Sequence, residues 1–190
     1  MLNFTKSSFK RLLIILGLII FSQVSVYGHL SFVKEKLTIT VHPAYCELDG
    51  DYIFLNPNRV SAKILYPFVI NEKLGFPDSI LIRDQSGEII SHKNKSSGVT
   101  FHFRKSTFFN AYYRQKTANH YFEYILTTTQ AWRSPLKEMI IKIKISKELD
   151  LTDLSLSYNA MEDNGDFTTY IITRNNYMPK KNIIIRWSEK

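Results

Sequence analysis

Met139-Ile140-Ile141-Lys142-Ile143-Lys144-Ile145 alternates apolar and basic residues at period two. Successive side chains of a strand point to opposite faces, so Met139, Ile141, Ile143 and Ile145 share one face and Lys142 and Lys144 the other. This is the signature of a half-buried strand, and the same signature recurs outward from it. Leu37, Ile39 and Val41 alternate with Lys36, Thr38 and Thr40 until Pro43. Val60, Ala62 and Ile64 alternate with Ser61 and Lys63 until Tyr66-Pro67, where the proline argues for an edge or a strand end. Val99, Phe101 and Phe103 continue the pattern, and Phe108 to Arg114 is rich in aromatics, which favour strands.

Turn chemistry separates these runs. Asp49-Gly50-Asp51 reads as a turn before a short strand from Tyr52 to Leu55, and Asn56-Pro57-Asn58 as the next turn. Gln85-Ser86-Gly87 lies between Ser79–Asp84 and Glu88–His92, a hairpin signal. Asp163-Asn164-Gly165-Asp166 reads as a hairpin tip between Leu151–Tyr158 and Phe167–Thr173. Tyr121 to Thr127 is a further strand, a loop carries Trp132 and Pro135, and Asn182 to Trp187 closes the chain. The count is about eleven short strands, with no amphipathic helix after the N-terminal segment. The expected fold is all-β: an antiparallel two-sheet sandwich, immunoglobulin-like in architecture. The Cys…Trp…Cys arrangement of antibody domains is absent.

Composition narrows the classes. The chain has 190 residues, 44% hydrophobic and 22% charged, with 7 Gly and 6 Pro, which excludes a disordered tail, a collagen-like repeat and a flexible linker. A single cysteine excludes an intramolecular disulfide and a cysteine-based zinc finger.

Residues 1–28 read as a secretory signal peptide. Lys6, Lys10 and Arg11 precede the apolar run Leu12 to Phe21, and Val26-Tyr27-Gly28 forms the cleavage site. The apolar run is shorter than the roughly 20 residues of a membrane span. An uncleaved N-terminal anchor is the alternative. Residues 29–190 then form one β-sandwich domain, exported to the periplasm or extracellular space. Removing the leader leaves 22 basic against 17 acidic residues, a mild excess rather than a nucleic-acid footprint.

Tyr124-Ile125-Leu126 with Thr128, followed by Trp132, Pro135 and Leu136 and then an alternating strand, resembles a motif of exported bacterial and archaeal β-sandwich proteins of unknown function. Thr129 and Ser134 stand where that pattern tends to have glycine. The likeness covers the C-terminal half. It implies an extracytoplasmic sandwich and supplies no catalytic residue. Tyr124, Trp132 and Pro135 are accordingly expected to be structural, the tryptophan plugging one end of the sandwich.

Cleavage after Gly28 makes His29 the first residue, offering an α-amine and an imidazole to one Cu(II) ion. A second ligand would come from His42, His92, His102 or His120. His102, between Phe101 and Phe103, is expected to face solvent, and Cys46 to be buried. No Gly-x-Ser-x-Gly elbow or Gly-rich phosphate loop occurs, and the acidic residues cluster at turns. Lys142, Lys144, Arg104, Lys105, Arg114 and Lys116 suggest a basic face, or lysines guarding exposed strands against edge pairing. Phe108, Phe109, Tyr112 and Tyr113 are the candidate partner surface, one face of that strand being core.

The sequence therefore predicts an exported, non-catalytic binding or structural module without cofactor. Its partner would be an envelope or extracellular protein, or a glycan. Nucleic acid is not expected, and the membrane only through an uncleaved leader. A copper-binding redox protein built on His29 is the alternative.

Overall fold

The computed structural model describes residues 30–190, which form thirteen strands and one short 3-10 helix. In chain order these are β1 (Ser31–Val41), β2 (Tyr45–Leu55), β3 (Ala62–Pro67), β4 (Ser79–Arg83), β5 (His92–Lys95), β6 (Gly98–Phe103) and β7 (Phe108–Lys116). They are followed by β8 (Tyr121–Tyr124), the 3-10 helix (Leu126–Trp132), β9 (Leu136–Ser146) and β10 (Leu149–Leu154). The chain ends with β11 (Ala160–Asp163), β12 (Phe167–Tyr177) and β13 (Ile183–Glu189).

One layer is a seven-stranded sheet, β11-β12-β9-β1-β2-β7-β4. The other layer is split into two three-stranded sheets, β10-β13-β8 and β3-β6-β5. The protein is an all-β sandwich. The pairing is antiparallel except at the centre of the large sheet, where β1 runs parallel to β9 from Lys34↔Glu138 to Val41↔Ile145. A parallel pair needs a long crossover, and here most of the second layer is threaded through it.

The period-two reading holds in the core. Leu37, Ile39 and Val41 of β1 and Met139, Ile141, Ile143 and Ile145 of β9 are all buried, with Ile39, Val41, Met139, Ile141 and Ile143 fully so. They share one hydrophobic cluster with Phe101, Phe103, Phe122, Ile183 and Ile185 of the facing sheets. Phe101 lies 5.0 Å from Phe109 and Phe103 lies 5.0 Å from Phe54, ring centre to ring centre, so an edge-to-face pair and a tilted pair bridge the layers at that end.

Local expectations change in four places. Asp49-Gly50-Asp51 is not a turn but the middle of β2, paired to β1 through Leu37↔Gly50. Gly50 is needed for close approach: a Cβ there would lie 2.7 Å from both Leu37 Cδ2 and the Tyr52 hydroxyl. The Gln85-Ser86-Gly87 turn forms, with Gly87 at φ 87°, but its arms diverge after the Arg83↔Ile89 bridge. β4 joins the large sheet, whereas the expected strand Glu88–His92 keeps only the Ile89 bridge before β5, from His92 to Lys95, joins a small sheet. At the Asp163–Asp166 tip the partner of β12 is the short β11, while β10 belongs to the other layer with β13. Finally, the strand expected to run to Thr127 stops at Tyr124, and Leu126–Trp132 winds into a 3-10 turn ended by Arg133 in the left-handed region.

Buried polar side chains hold the loops. Asn56 donates from Nδ2 to the carbonyls of Val60 and Ser106, both 2.9 Å, and accepts from Val60 N at 2.8 Å. Gln115 donates to Val69 O and Gly75 O, fastening the β3–β4 connection to β7. Such bonds satisfy loop carbonyls that burial removes from water.

Candidate functional site

The four aromatic residues singled out in the sequence do not form one surface. β7 lies between β2 and β4, and its inner residues Phe109 and Tyr113 are buried in the core. Phe108 and Tyr112 face outward, half-buried, and the Tyr112 hydroxyl is tied to Glu47 Oε1 at 3.0 Å. The six basic residues are likewise scattered. Lys142 and Lys144 lie on the outer face of β9, which is interior to its sheet, so they guard no edge. Lys144 sits over the Phe167 ring, and Arg114 pairs with Asp78 at 2.9 Å.

His29 lies outside the described residues. His42 stacks on Tyr45, His120 lies 3.6 Å from Glu189, and His102 is exposed on the outer face of β6. Among the described residues no three His, Cys, Asp or Glu side chains are grouped to hold a metal ion. Cys46 is buried, and burial pushes its thiol well above the ordinary range.

Trp132 packs on Phe32 and Phe54, and Tyr124 leads inward to a polar cluster not anticipated from the sequence. The Tyr124 hydroxyl donates to Glu35 Oε1 at 2.5 Å. It lies 3.0 Å from the Tyr52 hydroxyl, which is 2.5 Å from that of Tyr66. A hydroxyl carries one proton, so with Tyr124 donating to Glu35, Tyr52 donates to Tyr124 and Tyr66 to Tyr52. The four residues come from β1, β2, β3 and β8 and join all three sheets. Burial pushes the Glu35 carboxyl up to about 7, with the Tyr124 bond opposing. Among the described residues its Oε2 has no hydrogen-bond partner. The adjoining cavity under Trp132 is about 40 Å³, room for water but not for an organic ligand. One signal for this cluster was present: extending the Leu37/Ile39/Val41 alternation back one step puts Glu35 on the core face.

The open concavity lies elsewhere, on the outer side of β3-β6-β5. Lys63 of β3 stands opposite His102, and Lys93 of β5 stands opposite Thr100. Arg104 and Lys105 follow at the end of β6, with Lys105 in the left-handed region. The β4–β5 connection, with Gln85, Ile89 and Ser91, forms the wall of a groove of about 800 Å³. Among the described residues, Lys63, Lys93, Arg104 and Lys105 have no carboxylate within salt-bridge distance. The one carboxylate of the lining, Asp84, is occupied by its own turn, accepting from Ser86 N, Ser86 Oγ and Glu88 N, bonds that hold it below the usual carboxylate range. The groove is thus positively charged. Its size lies in the range of small-molecule sites.

No family model matches the chain, and no curated protein is similar to it in sequence. Solved structures are similar in fold. A provisionally named nutrient binding protein from Legionella pneumophila superposes with TM-score 0.63 and 14% identity, over 84% of this chain and 67% of that one. An M1 zinc metallopeptidase from Deinococcus radiodurans, bound to a Tyr-Ser-Ala substrate, gives TM-score 0.51 and 10% identity over 84% of this chain. Only 43% of the peptidase is covered, so the chain spans less than half of that enzyme. At such identities the likeness establishes the sandwich fold and nothing about chemistry.

Proposed function

We propose that this chain is an exported, non-catalytic binding module whose ligand-facing surface is the groove over β3-β6-β5. The observation that carries the reading is the set of four cations, without an ion partner among the described residues, lining an open concavity of about 800 Å³ over the β3-β6-β5 sheet. Four like charges brought into one groove repel one another, and an incoming ligand of opposite sign relieves that repulsion. The name of the Legionella protein is in keeping with a binding role. Export rests on the leader-like residues 1–28, and the partner is an envelope or extracellular protein or a glycan.

Native mass spectrometry of the protein recovered from its own host's envelope or medium tests this reading. The expected result is a metal-free mass beginning at His29, alone or with a bound partner. One copper ion per chain would overturn it in favour of a redox protein. A mass retaining residues 1–28 would replace the exported soluble module with a membrane-anchored one.

A further inference from the structure

We infer that the groove takes a linear acidic polysaccharide, its carboxylate or sulfate groups spaced along the chain; the inference rests on the binding-module reading above. The charges form a track. Thr100 and His102 lie on the outer face of β6, with Lys93 beside the first and Lys63 beside the second. Arg104 and Lys105 continue past the strand end. At about 3.4 Å per residue, the distance along β6 from the level of Lys93 to Arg104 is roughly 14 Å. Lys63 and Lys93 sit on opposite sides of β6, two strand spacings across and two residues along, roughly 12 Å apart. A single compact anion meets only part of such a track, whereas a chain with regularly spaced charges meets all of it.

The rest of the lining suits a sugar. Ile89 is 67% exposed in the wall, an apolar surface for the C–H face of a pyranose ring. Gln85, Ser91 and Thr100 supply neutral hydrogen-bonding groups beside the cations. Other polyanions fit less well. Single-stranded nucleic acid binds on aromatic stacking platforms, but Phe101 and Phe103 of the lining turn their rings into the core. A lipid surface is flat, and these cations are set in a groove beside a wall.

The test is calorimetric titration of the whole mature protein with two probes, a carboxylated oligogalacturonate and a sulfated heparin oligosaccharide. Fully methyl-esterified oligogalacturonate is the neutral comparison. The variants are Lys63→Gln/Lys93→Gln in the groove and Lys142→Gln/Lys144→Gln on the large sheet, which removes the same charge elsewhere. Lys63 and Lys93 are exposed, so an unchanged thermal midpoint is expected for that variant, whereas the Lys142/Lys144 variant gives up the contact of Lys144 with the Phe167 ring and should melt slightly lower.

At least one acidic probe should bind the native protein and the Lys142/Lys144 variant equally. It should bind the Lys63/Lys93 variant about tenfold more weakly, the scale of two exposed charge contacts. Which acidic probe binds distinguishes carboxylate from sulfate. Binding of neither, equal weakening in both variants, or equal binding of the esterified probe would each overturn the assignment. Groove-dependent binding to phosphatidylglycerol vesicles without either oligosaccharide would overturn it in favour of a lipid. Copper in the native mass with groove binding intact would sink the module reading alone. A metal-free protein without groove-dependent glycan binding would sink this inference alone.

Discussion

The Tyr124 hydroxyl donates to Glu35 Oε1 across 2.5 Å, a buried bond between residues 89 positions apart that ties β8 of a small sheet to β1 of the large one. Tyr52 and Tyr66 extend the tie to the second small sheet. Two separate three-stranded sheets would otherwise be held to the large sheet by apolar packing, which fixes layers without fixing register. Directional bonds at their junction supply that register, and they do so at the expense of a carboxyl buried among aromatic rings.

The buried carboxyl makes stability depend on pH. Glu35 titrates near 7 in the folded protein and near 4.5 when exposed, so the folded state holds its proton more tightly. The contribution is fully present below about pH 4.5, is lost as pH rises from 4.5 to 7, and stays lost above. At about 1.4 kcal/mol per pH unit the loss is about 3 kcal/mol. The facing groups Tyr52, Tyr66 and Tyr124 are pushed well above their usual values and do not titrate in this window. Asp78, Asp84 and Asp163 are shifted down, so they act below this window and with the opposite sign. Urea unfolding from pH 4.5 to 8 should show the decline, and Glu35→Gln should flatten it. An equally steep decline in the variant would place the titrating group elsewhere.

Removing hydroxyls from the chain should cost unequal amounts. Tyr124→Phe leaves Glu35 with both oxygens unpartnered and Tyr52 without its acceptor, an expected loss of about 2–3 kcal/mol. Tyr66→Phe removes only the terminal donor, and Tyr52 still bonds to Tyr124, so about 1 kcal/mol is expected. Tyr124→Phe should also move the Glu35 transition to higher pH, because that bond holds the carboxyl down. Denaturant midpoints of the two variants, and the pH dependence of the first, check both statements. Equal losses would mean that the hydroxyls contribute independently rather than as a directed chain.

Much of the sandwich was readable because its strands are half-buried, and period two records that directly in β1, β6 and β9. The solvent-facing position of His102 followed from the same rule. For β7 the rule separated Phe109 and Tyr113 from Phe108 and Tyr112 without saying which pair is buried, and the structure buries the first pair. Pairing left no such trace. Nothing in Leu37 or Ile141 announces that β1 and β9, about 100 residues apart, lie parallel at Leu37↔Ile141. Asp49-Gly50-Asp51 has turn composition, yet Gly50 is there for clearance beneath Leu37 and Tyr52. Leu126-Thr-Thr-Thr-Gln-Ala-Trp132 has strand-like threonines, but Thr127 is captured by Asn182 and Gln130 by the Pro179 carbonyl, contacts from distant segments that hold the 3-10 turn. The groove was hidden for the same reason. Lys63, Lys93 and Arg104 lie on separate parts of the chain, and only the β3-β6-β5 register gathers them.

Gly98 tests whether the groove floor can be loosened apart from the large sheet. It pairs with Pro67 where β3 and β6 meet, and a Cβ there would lie 2.2 Å from the Tyr66 carbonyl oxygen and 2.7 Å from Pro67 Cα. Backbone cannot yield as a flexible side chain can. Gly98→Ala should therefore open the β3–β6 ladder and cost about 1–3 kcal/mol or more. Hydrogen exchange should quicken at the amides of β3 and β6 while those of β1 and β9 keep native protection. Uniform loss of protection in both layers would show that the sandwich opens only as one unit.

Cys46 gives an independent measure of how firmly the layers close. It lies on β2, is fully buried, and pairs in register with Val41 of β1 and Gln115 of β7. Nucleophilic attack requires the thiolate, and burial pushes this thiol well above its ordinary range. Access and ionisation both therefore require opening of the central sheet. A disulfide-forming aromatic reagent should label the protein completely in concentrated guanidinium and negligibly in native buffer over hours. Labelling in native buffer should require global opening, and Tyr124→Phe should speed it by up to about tenfold for each 1.4 kcal/mol of lost stability. Complete native labelling within minutes would mean that β2 opens locally. Disulfide-linked dimers should then form when the purified protein is oxidised in air.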